Sequence, residues 1–252
     1  MPTTAEIVED AVPEVDLSSP AAARAGSQPL RGYLATPSGE GPWPGIVVLH
    51  EVFGMNDVVR RQADRLADMG YLALAVDLFS QGGAARCLVA TMRASMTGKG
   101  RAYADIAAAR DHLLALPDCT GKTGIIGFCL GGGFALMTAS SGDYAVAAVN
   151  YAHLPAEPLT TLAGSCPIVG SYGGRDLTLR GAAAQLDTAL STLGVEHDVK
   201  EYPEANHAFL NDEAVGPGWL RPLWRVAGIG PHPASAADAW ARIEGYFRAH
   251  LH

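Results

Sequence analysis

Apolar residues along this chain come in short continuous runs, separated by longer stretches in which apolar positions recur at helical spacing. The run Ile46 to Leu49 is typical of a parallel strand that is covered on both faces. The stretch that follows it spaces Val58, Leu66 and Met69 as one face of a helix would, and Gly70 marks its end. Because strands that alternate with helices form βαβ units, the pattern predicts an α/β fold: a mostly parallel sheet with helices on both faces.

The same pattern gives the order of the elements and a single domain over residues 1–252. The predicted strands cover residues 30–37, 43–50, 71–79, 123–128, 144–152, 166–172 and 197–203. The predicted helices cover residues 55–70, 101–116, 130–140, 181–194 and 234–250. We expect the first strand at an edge of the sheet. Residues 1–29 are predicted to be irregular, since Pro13, Pro20 and Pro29 interrupt them.

The sequence TGIIGFCLGGGFALM at residues 123–137 reads as a strand, a tight turn and the start of a helix. Gly127, Cys129 and Gly131 fit the strand-to-helix turn in which a nucleophile stands between two glycines. The first turn of the helix would direct its free N–H groups at the thiol and favour the thiolate. The alternative is a small buried cysteine beneath a glycine-rich helix, a common place for a free thiol.

Two further residues follow predicted strands in the order that a nucleophile, an acid and a histidine require. Asp176 comes directly after the strand PIVGSY, and His207 comes after the strand VKEYP. Active sites of open parallel sheets lie at the carboxyl ends of the strands, where both residues would be. Taken singly, Asp176 could be a turn or helix-capping residue and His207 a surface histidine. Their joint placement favours a Cys129–His207–Asp176 triad.

Five short motifs make the chain resemble the dienelactone hydrolase family of the α/β-hydrolase fold. They are GFCLGGG at 127–133, YGGRD at 172–176, EANHAF at 204–209, HEVFG at 50–54 and DLF at 77–79. The similarity runs from about Leu30 to the last helix. It implies a cofactor-independent hydrolase of carboxylic esters or lactones, acting on a small molecule through this triad and a thioester intermediate.

The resemblance also implies roles for residues beside the nucleophile. Glu51 corresponds to a glutamate that lies near the thiol and helps to switch it to the thiolate when substrate arrives. A carboxylate in that place would keep the resting thiol neutral and protect it from oxidation. The backbone N–H groups of Leu130 and Val52 match the oxyanion hole. The alternative for Glu51 is an ordinary carboxylate at a strand end.

The chain departs from the family where arginines would hold a substrate carboxylate. Gln81 and Asn211 stand at those two places, and a neutral amide is a weaker partner for a carboxylate than a guanidinium. Other arginines, Arg86, Arg175 and Arg180, could substitute, although each could equally be a surface charge. This departure argues against dienelactone itself as the substrate.

Further pocket residues are suggested by position. Tyr151 and His153 follow a strand at the expected active-site edge, where they would line the pocket or pack in the protein. The segment 211–233 is longer than an ordinary connection and carries Trp219 and Trp224. We expect this segment to be a lid or pocket wall; a dimer contact is the alternative.

Composition limits the partners. The net charge is −8, and lysine and arginine are scattered, so a nucleic-acid partner is not expected. No apolar stretch is long enough for a membrane helix, and the first residues do not read as a secretion signal. Four widely spaced cysteines are typical of free thiols in the cytoplasm. No histidine or cysteine spacing indicates a metal site, and no cofactor is expected. The oligomeric state stays open.

Two other functions remain open from the sequence. One is a ligand-binding protein that has this fold but does not catalyse, since fold alone never proves function. The other is a redox sensor in which Cys129 is oxidised reversibly.

Overall fold

The computed structural model describes residues 14–214, 216, 218, 219, 222, 226 and 229–252. Within them, one eight-stranded sheet has the order β1-β2-β4-β3-β5-β6-β7-β8. The strands are β1 (Glu14–Asp16), β2 (Arg31–Ala35), β3 (Trp43–Leu49), β4 (Leu72–Val76), β5 (Cys119–Phe128), β6 (Val146–Asn150), β7 (Ile168–Gly173) and β8 (His197–Tyr202). β3 to β8 pair in parallel, whereas β2 is antiparallel to β1 and β4.

Helices pack on both faces of this sheet, as the sequence predicts. They are α1 (Ser18–Ala23), α2 (Asp57–Asp68), α3 (Ala84–Thr97), α4 (Arg101–Ala115), α5 (Leu130–Thr138), α6 (Pro158–Thr161), α7 (Ala182–Leu193) and α8 (Pro233–Leu251). Gly45 of β3 faces Leu113 of α4, and Thr123 of β5 pairs with Gly45. The next residue, Gly124, faces Leu251 of α8. Successive strand residues point to opposite faces, so α4 and α8 cover different sides.

The beginning of the chain is more regular than predicted. Strand β1 and helix α1 both lie within residues 1–29, which were expected to be irregular. Pro20 is accommodated because it is the third residue of α1, where no N–H is needed for a helical hydrogen bond. The expectation that the first predicted strand is an edge strand is also wrong, because β1 covers its outer side.

Helix α3 has no counterpart among the predicted helices. Its buried stripe is narrow, since it consists of Cys87, Thr91 and Ala94. The side chains of Val89, Met92 and Met96 are exposed, which hides the periodicity of the buried face. The short helix α6 lies where the sequence predicts a loop containing proline.

The central strands bring the chemically interesting residues to one edge of the sheet. β5 and β6 lead directly into Cys129 and Tyr151, and Glu51 is the second residue after β3. Asp176 and His207 follow β7 and β8. Among the described residues, no helix has the length and apolarity needed to cross a membrane.

Candidate active site

The turn that carries Cys129 depends on its two flanking glycines. A Cβ on Gly127 would lie 2.0 Å from the carbonyl oxygen of Gly131, and one on Gly131 would lie 2.2 Å from the carbonyl oxygen of Leu49. No side chain fits in either place. Cys129 itself has a φ of 53° and stands immediately before the first residue of α5. The N–H of Cys129 donates to the carbonyl of Asn150, which ties the turn to β6.

Strained backbone is concentrated at this edge of the sheet. Of the described residues other than glycine, four have a positive φ, and three of them are Cys129, Tyr151 and Ala208. Non-glycine residues adopt such angles at a cost and keep them where the surrounding structure imposes them. The clustering at one edge is a feature of functional sites.

His207 joins the cysteine to a carboxylate. Its Nδ1 lies 2.5 Å from Oδ2 of Asp176, and its side chain is also hydrogen-bonded to that of Cys129. The other carboxylate oxygen of Asp176 accepts from the N–H and the hydroxyl of Thr178, at 2.9 and 2.6 Å. Thr178 therefore orients the carboxylate of Asp176 independently of the imidazole. The structure brings together the three residues that the sequence analysis placed in a triad.

The electrostatics of the cluster favour a charged imidazole. Burial lowers the pKa of His207, but its hydrogen bonds with Asp176 and Cys129 outweigh burial and raise the pKa to about 10. Burial alone would raise the pKa of Asp176, yet the hydrogen bonds from His207 and Thr178 bring that pKa below its usual value. The arrangement can accept a proton from a thiol and keep it on the imidazole.

Glu51 lies at the same edge as a buried carboxylate. Its Oε1 accepts from the hydroxyl of Tyr151 and from Nδ2 of Asn211, each at 3.2 Å. Asn211 is in turn held by Gln62 of α2, whose Nε2 donates to Oδ1 of Asn211 at 3.0 Å. Burial raises the pKa of Glu51, and the positive charge of His207 opposes this in part.

His50 is a buried residue for which the sequence predicts no role. Its Nδ1 donates to the carbonyl of Glu51 at 2.7 Å, and its Nε2 accepts from the N–H of Leu78 at 3.1 Å. These bonds fix one neutral tautomer and join the turn after β3 to the turn after β4. Burial lowers the pKa of His50. The sequence feature that could have identified His50 is its place beside Glu51 in the HEVFG motif.

The residues predicted to line the pocket have different environments. Tyr151 is at the site, because its ring lies 5.1 Å from that of His207. Asn211 is buried and bonded to Glu51, so its amide does not face open space as a substrate ligand would. Gln81 and His153 are exposed.

The predicted lid is only partly described by the structure. Trp219 is 79% exposed, and Trp224 lies outside the described residues. Of the arginines considered as substitutes, Arg175 forms an exposed ion pair with Glu204. Within the described part of the chain, no group of three or more His, Cys, Asp or Glu side chains is arranged to hold a metal ion.

Comparison with known proteins agrees with this geometry. The dienelactone hydrolase family model matches residues 30–251. A candidate carboxymethylenebutenolidase of Methylorubrum extorquens strain AM1 is 30% identical over 240 residues, which are 87% of this chain and 76% of the relative. One from Yersinia pestis is 30% identical over 240 residues, 88% of this chain and 84% of the relative.

Solved structures show the same fold. The crystal structure of a candidate dienelactone hydrolase from Klebsiella pneumoniae superposes with a TM-score of 0.74 at 24% identity, covering 93% of this chain and 97% of the other. This likeness shows the α/β-hydrolase fold. The family match extends over nearly all of the described sheet and includes Cys129, Asp176 and His207 within its bounds. The chain therefore belongs to the dienelactone hydrolase family.

Proposed function

We propose that this protein hydrolyses carboxylic esters or lactones without a cofactor, with Cys129 as nucleophile, His207 as base and Asp176 as the group that orients the imidazole. The observation that carries the proposal is that His207 contacts both other side chains, on a turn whose glycines leave no room for side chains. The relatives named above are carboxymethylenebutenolidases by name, and the family membership supports an ester-bond hydrolase.

The proposed reaction has two halves. In the first, His207 holds the proton of the thiol, the thiolate sulfur attacks the carbonyl carbon, and the carbonyl electron pair moves to oxygen. That oxygen is stabilised by the N–H groups of Leu130 and Val52. Leu130 is the first residue of α5, so its N–H has no acceptor within the helix. The alcohol then leaves with the proton from His207, and a thioester on Cys129 remains.

In the second half, a water molecule attacks the thioester carbon and gives its proton to His207. The bond between sulfur and carbon breaks, the acid departs, and the thiolate and imidazolium are restored. Asp176 keeps the Nδ1 proton in place throughout, so that Nε2 faces the sulfur. Glu51 would hold negative charge near the thiol and disfavour the thiolate until substrate is bound. In a lactone, the leaving alcohol stays tethered to the acyl group.

The test is hydrolysis of para-nitrophenyl acetate by the wild type and by Cys129→Ala. Cys119→Ala is the matched control, because Cys119 begins the same strand that Cys129 follows and lies at the far end of the sheet. We expect Cys129→Ala to lose activity by at least about 10³-fold and Cys119→Ala to keep it. Rapid-quench mass spectrometry should find one acyl group on Cys129.

The possible outcomes separate the functions left open by the sequence. Activity that persists in Cys129→Ala, with the acyl group on another residue, would show that a different nucleophile acts. A wild type with no hydrolysis of any ester or lactone in a panel, but saturable binding of one of them, would support the ligand-binding protein instead.

A further inference from the structure

A cavity of about 650 Å³ opens beside the proposed oxyanion hole. Its walls come from the turn after β3, the first turn of α2, the start of α3 and residues 213, 214 and 216. The apolar part of the wall includes Val52, Phe53, Leu88 and Val89. The volume is within the range of pockets that hold small molecules, about 300–1,000 Å³.

The cavity borders the proposed site of reaction at Val52. Val52 belongs to its wall and directly follows Glu51, and its N–H is one of the two proposed oxyanion donors. A substrate carbonyl bound there would have one of its substituents beside this wall. A Cβ on Gly216 would lie 2.9 Å from the ring of Phe53, so Gly216 packs directly against that ring.

The described lining of the cavity offers no positive charge to a carboxylate. Its ionisable residues are Asp57 and Glu213, and both are acids. Each pairs with an arginine of α2, Arg60 and Arg61, at 2.9 Å, and neither arginine is among the lining residues. A carboxylate placed in this cavity would lose water without gaining a cation among the described lining residues, which is unfavourable.

The two positions at which arginines of the family would hold a substrate carboxylate supply no charge here. Gln81 carries no charge, and the amide of Asn211 already donates to Glu51 and accepts from Gln62. By contrast, each methylene of a substrate that the apolar wall buries fully makes binding more favourable by about 0.8 kcal/mol.

We propose that this cavity holds the apolar, uncharged acyl or alcohol group of a neutral ester, and that it selects against esters that carry a carboxylate on that group. The inference rests on the proposed function and names its substrate class. It assigns the preference to the wall that α3 contributes, where Leu88 and Val89 are apolar and supply no positive charge for a carboxylate.

The experiment compares isosteric ester pairs. In the acyl arm, a para-nitrophenyl ester with an isopropyl-terminated acyl chain is compared with the para-nitrophenyl monoester of adipic acid, in which a carboxylate replaces the isopropyl group. In the alcohol arm, the butyrate ester of isopropylphenol is compared with that of hydroxybenzoic acid. We expect kcat/KM to be at least about tenfold higher for the neutral member in one arm, which identifies the group that enters the cavity.

Charge introduced at the wall should change this ratio. Val89 is 78% exposed, so Val89→Arg and Val89→Glu are both expected to fold. Val89→Arg should reduce the preference for the neutral ester by about threefold or more, and Val89→Glu should increase it. Met96→Arg is the matched control, because Met96 is 70% exposed on the same helix and does not line the cavity.

The outcomes distinguish this inference from the proposed function. If para-nitrophenyl acetate is hydrolysed but the anionic esters react as fast as the neutral ones in both arms, the inference is wrong and the proposed function stands. Equal effects of Val89→Arg and Met96→Arg on the ratio would also overturn it, because the preference would then come from general charge. If the wild type hydrolyses no ester and no lactone, the proposed function itself is wrong.

Discussion

A single methyl group added at Gly131 should be enough to disturb the whole active-site edge. In Gly131→Ala, the new Cβ would lie 2.2 Å from the carbonyl oxygen of Leu49, 2.6 Å from its carbon and 2.8 Å from the carbonyl oxygen of His50. All three are backbone atoms, so no side chain can rotate away. Real Cβ contacts are not found below 3.0 Å, and the closest one must therefore open by 3.0 − 2.2 = 0.8 Å.

The cost can be estimated from ordinary core substitutions. Overpacking of a filled interior destabilises a protein by about 1–3 kcal/mol. The better helix propensity of alanine returns at most about 1 kcal/mol. A net loss of about 1–2 kcal/mol corresponds to a fall in Tm of roughly 2–8 °C for a protein of this size. Because Leu49 and His50 precede Glu51, an opening of nearly an ångström there should also reduce kcat, by as much as roughly 10²-fold.

Gly133 offers a matched control two residues further along the same helix. A Cβ on Gly133 would meet Ser95 at 3.6 Å, an ordinary contact. Gly133→Ala should therefore gain about 1 kcal/mol from helix propensity and raise Tm by roughly 2–4 °C, with activity unchanged. Thermal unfolding followed by circular dichroism, together with ester hydrolysis, measures both variants. If Gly131→Ala were as stable and active as the wild type, the reasoning from close backbone contact would be refuted.

Three further predictions concern charge. Asp176→Asn removes the carboxylate that orients the imidazole, so kcat should fall by roughly 10³–10⁴-fold with circular dichroism unchanged; a loss below tenfold would contradict the triad. Burial lowers the pKa of His50 below 6.5, so the unfolded chain takes up this proton first, and the free energy of unfolding should decrease as pH falls below about 6.5. Urea titrations of His50→Gln at several pH values should lack that part of the pH dependence. If the free energy of unfolding changed with pH equally in the variant and the wild type, His50 would not be its source. Asn211→Ala removes a hydrogen bond that lowers the pKa of Glu51, so more of this carboxyl is neutral and alkylation of Cys129 should extend to lower pH; an unchanged alkylation profile would show that the two groups are not coupled.

Much of the fold could be predicted because the relevant forces are local. The run Ile46 to Leu49 is apolar throughout since β3 is covered on both faces, and this leaves a pattern that no surface strand would share. The elbow could be predicted for a similar reason. Its geometry excludes side chains at Gly127 and Gly131, so both positions require glycine, and the two glycines are visible in the sequence.

Other elements are determined by contacts that the sequence does not display. Strand β1 has three residues and an exposed or half-buried pattern, and it exists because β2 offers an unpaired edge. Helix α3 buries little and presents Val89 to the cavity, so its periodicity is weak although its position matters for the proposed substrate. In both cases the partner surface, rather than the segment itself, determines the structure.

Asn211 shows the same limit at the level of a single side chain. Its spacing from His207 identifies it as the residue that replaces a family arginine, which predicts a weaker contact with the substrate. Spacing does not predict the contact with Gln62 of the distant helix α2. Its Nε2 donates to Oδ1 of Asn211 and so orients the amide toward Glu51. The neutral residue thus retains a hydrogen bond to the buried carboxylate while supplying no charge for an anionic substrate. A cation at position 211 would attract both Glu51 and the carboxylate of a substrate, whereas the amide of Asn211 forms a hydrogen bond with Glu51 alone. Substrate charge and the environment of Glu51 therefore depend on one position, and a change at Asn211 should affect both.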